Sequence, residues 1–428
     1  MRFSVSKECI TPNWPVNMGG FSARTEKSQG VHDDLYSKCL MLDDGKSKCL
    51  IITLDLVGVD RFFVEKIKEK IEVLFAIKKK DILLSCIHTH SGPSTYPFPS
   101  FPSKPEREYM EFIMRKIIMN VQNTIAEAQE GTAEVGTGET YIGMNRRKKE
   151  GSEIVIGPNC TGGVDRNLTV ATIKDKKDNI RVVLFNCGCH PTIMNSANLL
   201  LSADYPGAAC KYLEDAFPNS TAVFLQGAGG DINPAILANG EKYRNCSFSD
   251  VDLTGRILAN DVINITRHKM KKVDISINDS IEEIELPLAE PNAAVFKDLY
   301  EHSNGTRKEY AEKMLQLIAS GTVLSRETDL QIAIFNLACE FRIVALEGEI
   351  CHNIGMEICK IFKTGCTMVS GYSNGIISYI PTAEILKEGG YEAKANCITY
   401  GIHSRFAANA ADVIVDWLKH KLPGSHNI

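Results

Sequence analysis

The sequence predicts an α/β fold: a mixed central sheet flanked by helices, with a metal site at the carboxyl ends of strands. Short apolar runs alternate with amphipathic segments through the first half of the chain, as strands and helices do in such folds. Because open α/β sheets place their chemistry beyond the carboxyl ends of strands, side chains that follow the runs are expected to converge. The runs and the metal-binding residues that follow them are 82–87 with His88, 182–185 with His190, and 343–346 with Glu349.

Strands and helices alternate in the first half of the chain. Helix 62–75 is predicted because Phe63, Ile67 and Ile71 recur on one helical face. The five prolines between residues 93 and 105 predict an irregular loop, since proline cannot continue regular structure there. The other predicted strands are 1–11, 49–56, 81–87, 180–187 and 221–225, and the other predicted helices are 106–130 and one beginning near Pro206.

The second half of the chain has a different pattern. Apolar and polar residues alternate over 271–287, which favours antiparallel sheet. Residues 331–346 are predicted as one long strand or two shorter ones. The predicted helices are 292–320, 352–362, 382–387 and 403–418. Since no repeat or linker divides the chain, we expect a single domain over residues 1–428, with 235–330 as a candidate subsidiary insertion.

Composition narrows the class of protein and its partners. The 428 residues can bury a large core, and 44% hydrophobic with 24% charged residues is ordinary for a globular enzyme. A net charge of -5 argues against a nucleic-acid partner, and the partner we expect is a small-molecule substrate. No apolar run approaches the roughly 18 residues that a membrane span requires. The sequence specifies no oligomeric state.

The fourteen cysteines are spread over the whole length rather than grouped as a disulfide framework. The first residues lack the continuous apolar core of a signal peptide, so we expect reduced thiols and a cytoplasmic protein. Cys187 and Cys189 offer a soft metal site as a weaker alternative, since zinc sites of this kind need a second pair.

His88-Thr89-His90 is the strongest local signal for chemistry. In an extended segment, residues i and i+2 point the same way, so both imidazoles can face one cavity. One can bind a metal ion while the other takes a proton from water. The alternative is a surface turn with two solvated histidines. Pro191 biases His190 toward extended backbone, although such a histidine by itself is more often a core residue.

Two further segments each allow two interpretations. The glycine-rich stretch 226–234 follows a strand but lacks the Lys-Ser/Thr ending of a phosphate-binding loop. Its glycines allow backbone N–H groups either to approach a substrate or to make a plain tight turn. Glu347 and Glu349 are compatible with one face of a buried strand, or with a surface pair.

Ordered segments along almost the whole chain resemble the catalytic domain of neutral, non-lysosomal ceramidases, which are zinc-dependent amidases. The resemblance implies zinc ligation by His88, His190, Glu349 and Tyr379, and a proton-handling role for His90. The segments are 30–36 with His32, Asp55, 88–93, Asn145 with Arg146, Val164 with Asp165, Leu168 with Thr169, 190–192, 230–234, Gly348 with Glu349, 371–379, 391–393 and 400–403.

The resemblance also implies a substrate pocket. Asn145, Arg146 and Tyr391 would line it, and Tyr391 is assigned a part in the catalysis. The loop 227–233 would orient the substrate and stabilise the oxyanion, which makes Gly229 and Asp231 candidate substrate-binding residues.

Asn233 is a departure from the ceramidase pattern. It stands where ceramidases carry a serine described as the nucleophile. An amide side chain cannot accept an acyl group, but it can donate a hydrogen bond to an oxyanion. We also expect the chain to lack the C-terminal β-sandwich domain and the export signal of ceramidases. Both departures argue against ceramide as the substrate.

These observations lead to one main hypothesis about function. We expect a Zn²⁺-dependent hydrolase that cleaves an amide bond of a small, polar substrate with an activated water. One alternative is a zinc-dependent glycoside hydrolase or lyase that acts on a sugar derivative. The other is a catalytically inactive protein that uses the zinc pocket for binding.

Overall fold

The computed structural model describes residues 1–362 and 364–421. The strands are β1 (Arg2–Cys9), β2 (Gly30–Val31), β3 (Tyr36–Asp43), β4 (Lys48–Leu54), β5 (Ile82–Cys86), β6 (Gln129–Glu139), β7 (Gly143–Glu150), β8 (Glu153–Asn159), β9 (Asn167–Asp175), β10 (Ile180–Cys187), β11 (Leu200–Leu201), β12 (Thr221–Gln226), β13 (Ile232–Pro234), β14 (Ala238–Asn239), β15 (Lys242–Tyr243), β16 (Lys271–Val273), β17 (Asn278–Pro287), β18 (Glu327–Ala338), β19 (Phe341–Leu346), β20 (Glu349–Ile350), β21 (Cys366–Ser370) and β22 (Tyr379–Ile380). The helices are α1 (Arg61–Phe75), α2 (Arg107–Ala126), α3 (Asp204–Ala216), α4 (Phe248–His268), α5 (Ala293–Glu301), α6 (Gly305–Ala319), α7 (His352–Ile361), α8 (Ala383–Glu388), α9 (Ala395–Ile398) and α10 (Ala410–His420).

A mixed main sheet organises the molecule. Its strand order is β12-β10-β9-β6-β1-β3-β4-β5, with β16 beside β6. The outer pairs β10–β12 and β4–β5 are parallel, whereas the inner pairs are antiparallel. The predicted α/β class with a mixed central sheet and flanking helices is therefore confirmed.

Helices cover only one face of the main sheet. The apolar faces of α1, α2, α3 and α4 pack against this face in one continuous core. The other face packs against a second sheet, β17-β18-β19-β21, with Phe3 and Phe335 in the shared core. On its outer side the second sheet is covered by α7 and α10. The fold thus has four layers, in the order helix, sheet, sheet, helix.

Most predicted elements agree with the structure, and the differences have local causes. Predicted helix 106–130 ends at Ala126, because the chain joins the main sheet from Gln129. Predicted helix 292–320 is two helices, and Gly305 separates them with a left-handed backbone (φ 56°). Predicted helix 403–418 begins only at Ala410, because the preceding residues bond to the end of β17 through a bridge from Phe406 to Leu288.

The second half of the chain contributes to several layers. Residues 331–346 form two antiparallel strands, β18 and β19, rather than one long strand. The candidate insertion 235–330 contains α4, which packs on α3, as well as β17 and the pair α5 and α6. Its standing as a separate unit stays a prediction. Of the helices in the described residues, none is long and apolar enough to cross a membrane.

Candidate metal centre

Three side chains from distant parts of the chain meet beside the two sheets. His88 follows β5, His190 follows β10, and Glu349 begins β20 just beyond β19. The His190 Nε2 atom lies 3.1 Å from Oε2 of Glu349, and His88 Nε2 lies 3.3 Å from the same oxygen. All three residues are at most 2% exposed. The structure therefore brings these predicted residues together.

Backbone hydrogen bonds join the segments that carry these side chains. The Cys86 N–H at the end of β5 donates to the Tyr372 carbonyl at 3.0 Å. The Gly230 N–H donates to the Ile350 carbonyl at 2.8 Å. A Cβ atom on Gly230 would lie 2.8 Å from the Glu349 carbonyl oxygen, so only glycine permits this approach. The loop glycine thus serves close backbone packing beside Glu349.

Hydrogen bonds to backbone carbonyls set the tautomers of the two histidines. Nδ1 of His88 lies 2.5 Å from the Val57 carbonyl, and Nδ1 of His190 lies 2.7 Å from the Gly229 carbonyl. Because a carbonyl only accepts, each Nδ1 carries the proton and each Nε2 presents a lone pair. Two lone pairs and the Glu349 carboxylate then converge, which is unfavourable unless a cation lies between them. This donor set suits zinc.

His90 lies beside the same centre. Its Nε2 is 3.1 Å from His88 Nε2, and the ligand atoms of His88, His90 and His190 lie within 4.8 Å of one another. His90 is more exposed than the other two, and its buried Nδ1 has no hydrogen-bond partner among the described residues. His90 therefore contacts the centre, and its role in handling protons stays a prediction.

Burial and mutual charge control ionisation in this cluster. Burial, followed by the nearby Arg146 guanidinium, lowers the pKa of His190 to about 4. Burial also holds the pKa of His90 well below its usual value, with contributions from His88 and His190. Burial opposes ionisation of Glu349, but the two facing imidazoles hold its pKa well below the usual range. Metal binding requires neutral imidazoles beside a carboxylate, and the lowered pKa values of His190 and His90 favour the neutral form of those two rings.

Three tyrosine hydroxyl groups surround the carboxylate and imidazoles. Tyr379 Oη lies 3.2 Å from His190 Nε2, as expected for a further ligand. Tyr372 Oη donates to Glu349 Oε2 at 3.3 Å, and Tyr400 Oη donates to the other carboxylate oxygen. Sequence reasoning missed Tyr372 and Tyr400, and the only signal for them was their presence in segments 371–379 and 400–403.

Arg146 connects the centre to polar side chains around it. Its guanidinium donates to Tyr379 Oη at 3.1 Å and to Asn233 Oδ1 at 3.3 Å. Its Nε donates to Glu392 Oε1 at 2.8 Å, and Arg147 donates to the other Glu392 oxygen at 2.6 Å. Glu392 is 2% exposed and was not assigned a role from the sequence. This buried carboxylate holds Arg146 in place.

Comparisons with known proteins identify the family of this chain. Residues 4–260 match the family model described as neutral/alkaline non-lysosomal ceramidase, N-terminal. The chain belongs to this ceramidase family.

Individual ceramidases match at low sequence identity. The neutral ceramidase of Pseudomonas aeruginosa strain PAO1 is 23% identical over 250 residues, which are 55% of this chain and 37% of that protein. Neutral ceramidase 2 of Arabidopsis thaliana is 23% identical over 237 residues, 50% of this chain and 30% of that protein. The matched region is thus about a third of these relatives.

A solved structure extends the likeness to the whole fold. The crystal structure of the Pseudomonas aeruginosa neutral ceramidase aligns with 99% of this chain and 75% of its own, with a TM-score of 0.77 and 18% identity. The alignment passes beyond residue 260 and includes the second sheet. The four-layer arrangement is therefore a ceramidase fold.

Tyr391 and Asn145 are two further residues that the sequence analysis assigned to the site. Tyr391 is half-buried, and its ring meets the Tyr379 ring edge-on at 5.4 Å. Asn145 is held by backbone, because its amide donates to the Gly163 carbonyl at 2.9 Å.

Asp231 and Gly229 are engaged within the protein. Both Asp231 oxygens bind His352, at 2.8 Å to its N–H and 2.6 Å to Nδ1. The Gly229 carbonyl accepts from His190, and a Cβ atom at Gly229 would lie 2.6 Å from the Cys189 nitrogen. Substrate contact by Gly229 and Asp231 stays a prediction.

Glu347 does not share the site with Glu349. Its carboxylate is 1% exposed and accepts hydrogen bonds from the Arg61 guanidinium, two of them at 2.9 Å from Nε. Arg61 begins α1, so this pair joins the helical layer to the second sheet. Only one of the two acids considered from the sequence reaches the metal centre.

The proline-rich loop covers one side of the centre. The Phe98 ring lies 5.3 Å from the Tyr400 ring, and Tyr96 lies 5.6 Å from it. Phe98 and Phe101 belong to the same buried aromatic cluster as Tyr372 and Tyr379. The loop thus acts as an apolar cover that keeps water away from this side of the carboxylate.

Proposed function

We propose that this protein is a zinc-dependent hydrolase that cleaves the C–N bond of a small, polar amide with an activated water. The observation that carries the proposal is the convergence of electron-pair donors from His88, His190 and Glu349 on one buried point. Tyr379 would complete the ligand set. Membership of the ceramidase family supports the amide bond as the target.

The donor set fits zinc, because two neutral imidazoles, a carboxylate and a phenol oxygen supply the nitrogen and oxygen ligands that zinc takes. When bound there, zinc would lower the pKa of water at the site toward about 7 and polarise the scissile carbonyl. The carbonyls of Val57 and Gly229 orient the two imidazoles from behind.

His90 would handle the protons. Its Nε2 faces the centre beside His88, so it can accept the proton from the attacking water. The water oxygen forms a bond to the carbonyl carbon, and the C–N bond breaks. His90 then delivers the proton to the leaving nitrogen, which releases a carboxylic acid and an amine.

Arg146, Asn233 and Tyr391 would hold the substrate. Since Arg146 engages Oδ1 of Asn233, the amide N–H groups of Asn233 are left to donate to the oxyanion. Tyr391 and Asn145 would line the pocket beside this guanidinium. Gly229 and Asp231 would shape the loop that carries Asn233.

A small, polar substrate is favoured over ceramide. Asn233 replaces the serine of ceramidases, and the groups nearest the centre are a guanidinium, an amide and phenol hydroxyls. All fourteen cysteines are free thiols, which supports the proposal of a reducing, cytoplasmic location. The same polar groups also suit a sugar derivative, which is the second candidate.

Two variants test the ligand and proton roles separately. His88→Ala is expected to lose zinc and activity, whereas His90→Ala keeps zinc and loses roughly 10²–10⁴ in turnover. Zinc content by mass spectrometry and hydrolysis of an amide, ester and glycoside panel are measured on both. His268→Ala, an exposed histidine at the end of α4, is the control.

Each outcome bears on a stated role. Zinc retained by His88→Ala would contradict the ligand set, and zinc lost from His90→Ala would exchange the two roles. Turnover of glycosides alone would favour the second candidate function, cleavage of a sugar derivative. Inertness toward the whole panel at full zinc occupancy would indicate a binding protein.

A further inference from the structure

Tyr391 is shared between the metal centre and a second cavity of about 600 Å³. On one side its ring contacts Tyr379 and lies 5.9 Å from the Arg146 guanidinium carbon. On the other side it lines the cavity together with α5, α6 and Ile154 of β8. Tyr391 is therefore the residue that the centre and the cavity share.

Two cations without ion partners line the cavity. Arg307 of α6 has a buried Nε with no hydrogen-bond partner, and Lys394 precedes α9. Neither side chain forms an ion pair within residues 1–362 and 364–421. The carboxylate of Asp298 also lines the cavity, and it lies 3.1 Å from Nδ1 of the exposed His302. The two cations therefore outnumber the one carboxylate in the lining, which favours an anion.

The rest of the lining suits a short hydrocarbon chain. Ile154, Leu299 and Ile398 supply apolar wall between Tyr391 and the cations. Arg307 and Lys394 lie outside residues 4–260, the stretch that matches the ceramidase family model. Ile154 lies inside that stretch, so the cavity is formed jointly by residues within and beyond it.

We propose that this cavity binds a carboxylate at the far end of the amide substrate. The substrate class is then an amide joined through a short apolar chain to a carboxylate, which Arg307 and Lys394 bind. This inference rests on the proposed amide hydrolysis for its reaction, but the binding itself depends only on the cavity. Guanidinium groups bind carboxylates with paired, charge-assisted hydrogen bonds.

A matched substrate series tests the proposal with the zinc-loaded enzyme. N-acetyl ω-amino acids of increasing chain length are compared with their neutral primary amides. We expect kcat/KM for the acids to exceed that for the neutral partners by about tenfold at an intermediate length. Equal kcat/KM for acids and neutral amides at every length would overturn the proposal.

Substitutions of Arg307 and Lys394 test whether these two cations cause the preference for acids. Arg307→Gln and Lys394→Gln are expected to raise KM for the acids about tenfold, with kcat and the neutral amides little changed. Lys394 is exposed, so its variant keeps the test open if Arg307→Gln does not fold. Lys308→Gln is the matched control, because its ammonium lies over the Tyr300 ring. An unchanged acid preference in both cavity variants would overturn the assignment.

Calorimetry separates this proposal from the proposed reaction. In one outcome no amide is cleaved, but an N-acetyl ω-amino acid binds more tightly than its neutral partner and Arg307→Gln removes that difference. The cavity proposal then holds, and the proposed hydrolysis is wrong. If amides are cleaved without any acid preference in binding or turnover, the reaction holds and the cavity proposal fails.

Discussion

Lys68 is a buried cation without a hydrogen-bond partner in the described part of the chain. It lies among Val64, Ile67 and Ile71 on the inner face of α1, where the helical layer packs on the main sheet. Burial lowers its pKa to about 8, from 10.5. The residue therefore destabilises the fold at neutral pH, in contrast to the paired charges around the metal centre.

Lys68→Met is expected to stabilise the protein at pH 7 by about 3 kcal/mol. The unfolded chain holds the lysine proton up to a pKa of about 10.5 and the native protein only up to about 8. Wild-type stability therefore rises with pH across this window, and the advantage of the variant shrinks to zero near pH 10.5. Urea unfolding from pH 7 to 10.5 measures the difference.

Lys70→Met provides the control, because Lys70 is exposed on the same helix. It should change stability by less than about 0.5 kcal/mol at any pH. A gain for Lys68→Met that stays constant with pH would show that packing, rather than desolvated charge, is responsible.

At the scale of single elements, glycines decide how closely segments approach. In β6, a Cβ atom on Gly136 would lie 2.9 Å from the backbone oxygen of Lys269 at the end of α4, so glycine permits the close approach of strand and helix. Such a strand has few apolar side chains of its own and is not predicted from its pattern. Gly230 likewise permits its loop to pack closely against β20.

Gly230→Ala is expected to weaken zinc binding by about tenfold or more. The added methyl group would press on the Glu349 carbonyl oxygen and displace the carboxylate of β20. Gly240→Ala is the control: its Cβ meets nothing within 4 Å, and its left-handed backbone (φ 59°) costs about 1 kcal/mol without touching the site. Competition with a chelator measures both. Unaltered zinc affinity in Gly230→Ala would contradict the packing argument.

At the scale of the whole molecule, a buried ion pair crosses between layers. Arg61 at the start of α1 binds Glu347 at the end of β19, and it also reaches Glu283 of β17 at 3.0 Å. The pair therefore joins the helical layer to the second sheet at the edge of the main sheet. Loss of one partner leaves the other charge buried.

Arg61→Met is expected to destabilise the protein by about 3 kcal/mol, because Glu347 then lacks its counter-charge. Arg107→Met is the control: Arg107 pairs with Glu111 on the exposed surface of α2, and loss of that pair should leave the denaturant midpoint almost unchanged. Denaturant midpoints of the two variants are compared. Equal effects would show that the buried pair contributes no more than the surface pair.

Much of the fold follows from local pattern. Strand β10 agrees with its prediction at both ends, α1 begins one residue earlier than predicted, and β5 is shorter than predicted by one residue at each end. These elements have strong apolar periodicity of their own. The strands β6 to β9 escaped prediction because their burial depends on neighbours far away in sequence.

The candidate site also has a part that the sequence predicted and a part that it did not. His88, His190, Glu349 and Tyr379 were named from sequence and lie together. Glu392 was not named, since its role depends on two arginines about 245 residues earlier.

The sequence by itself determined the α/β class and the residue types able to bind a metal ion, because these depend on local periodicity and side-chain chemistry. Tertiary structure alone decided that a second sheet covers one face and that Glu349, not Glu347, faces the histidines. It also decided which imidazole nitrogens carry lone pairs. Those outcomes depend on partners brought close only when distant segments pack, and no local pattern encodes that proximity.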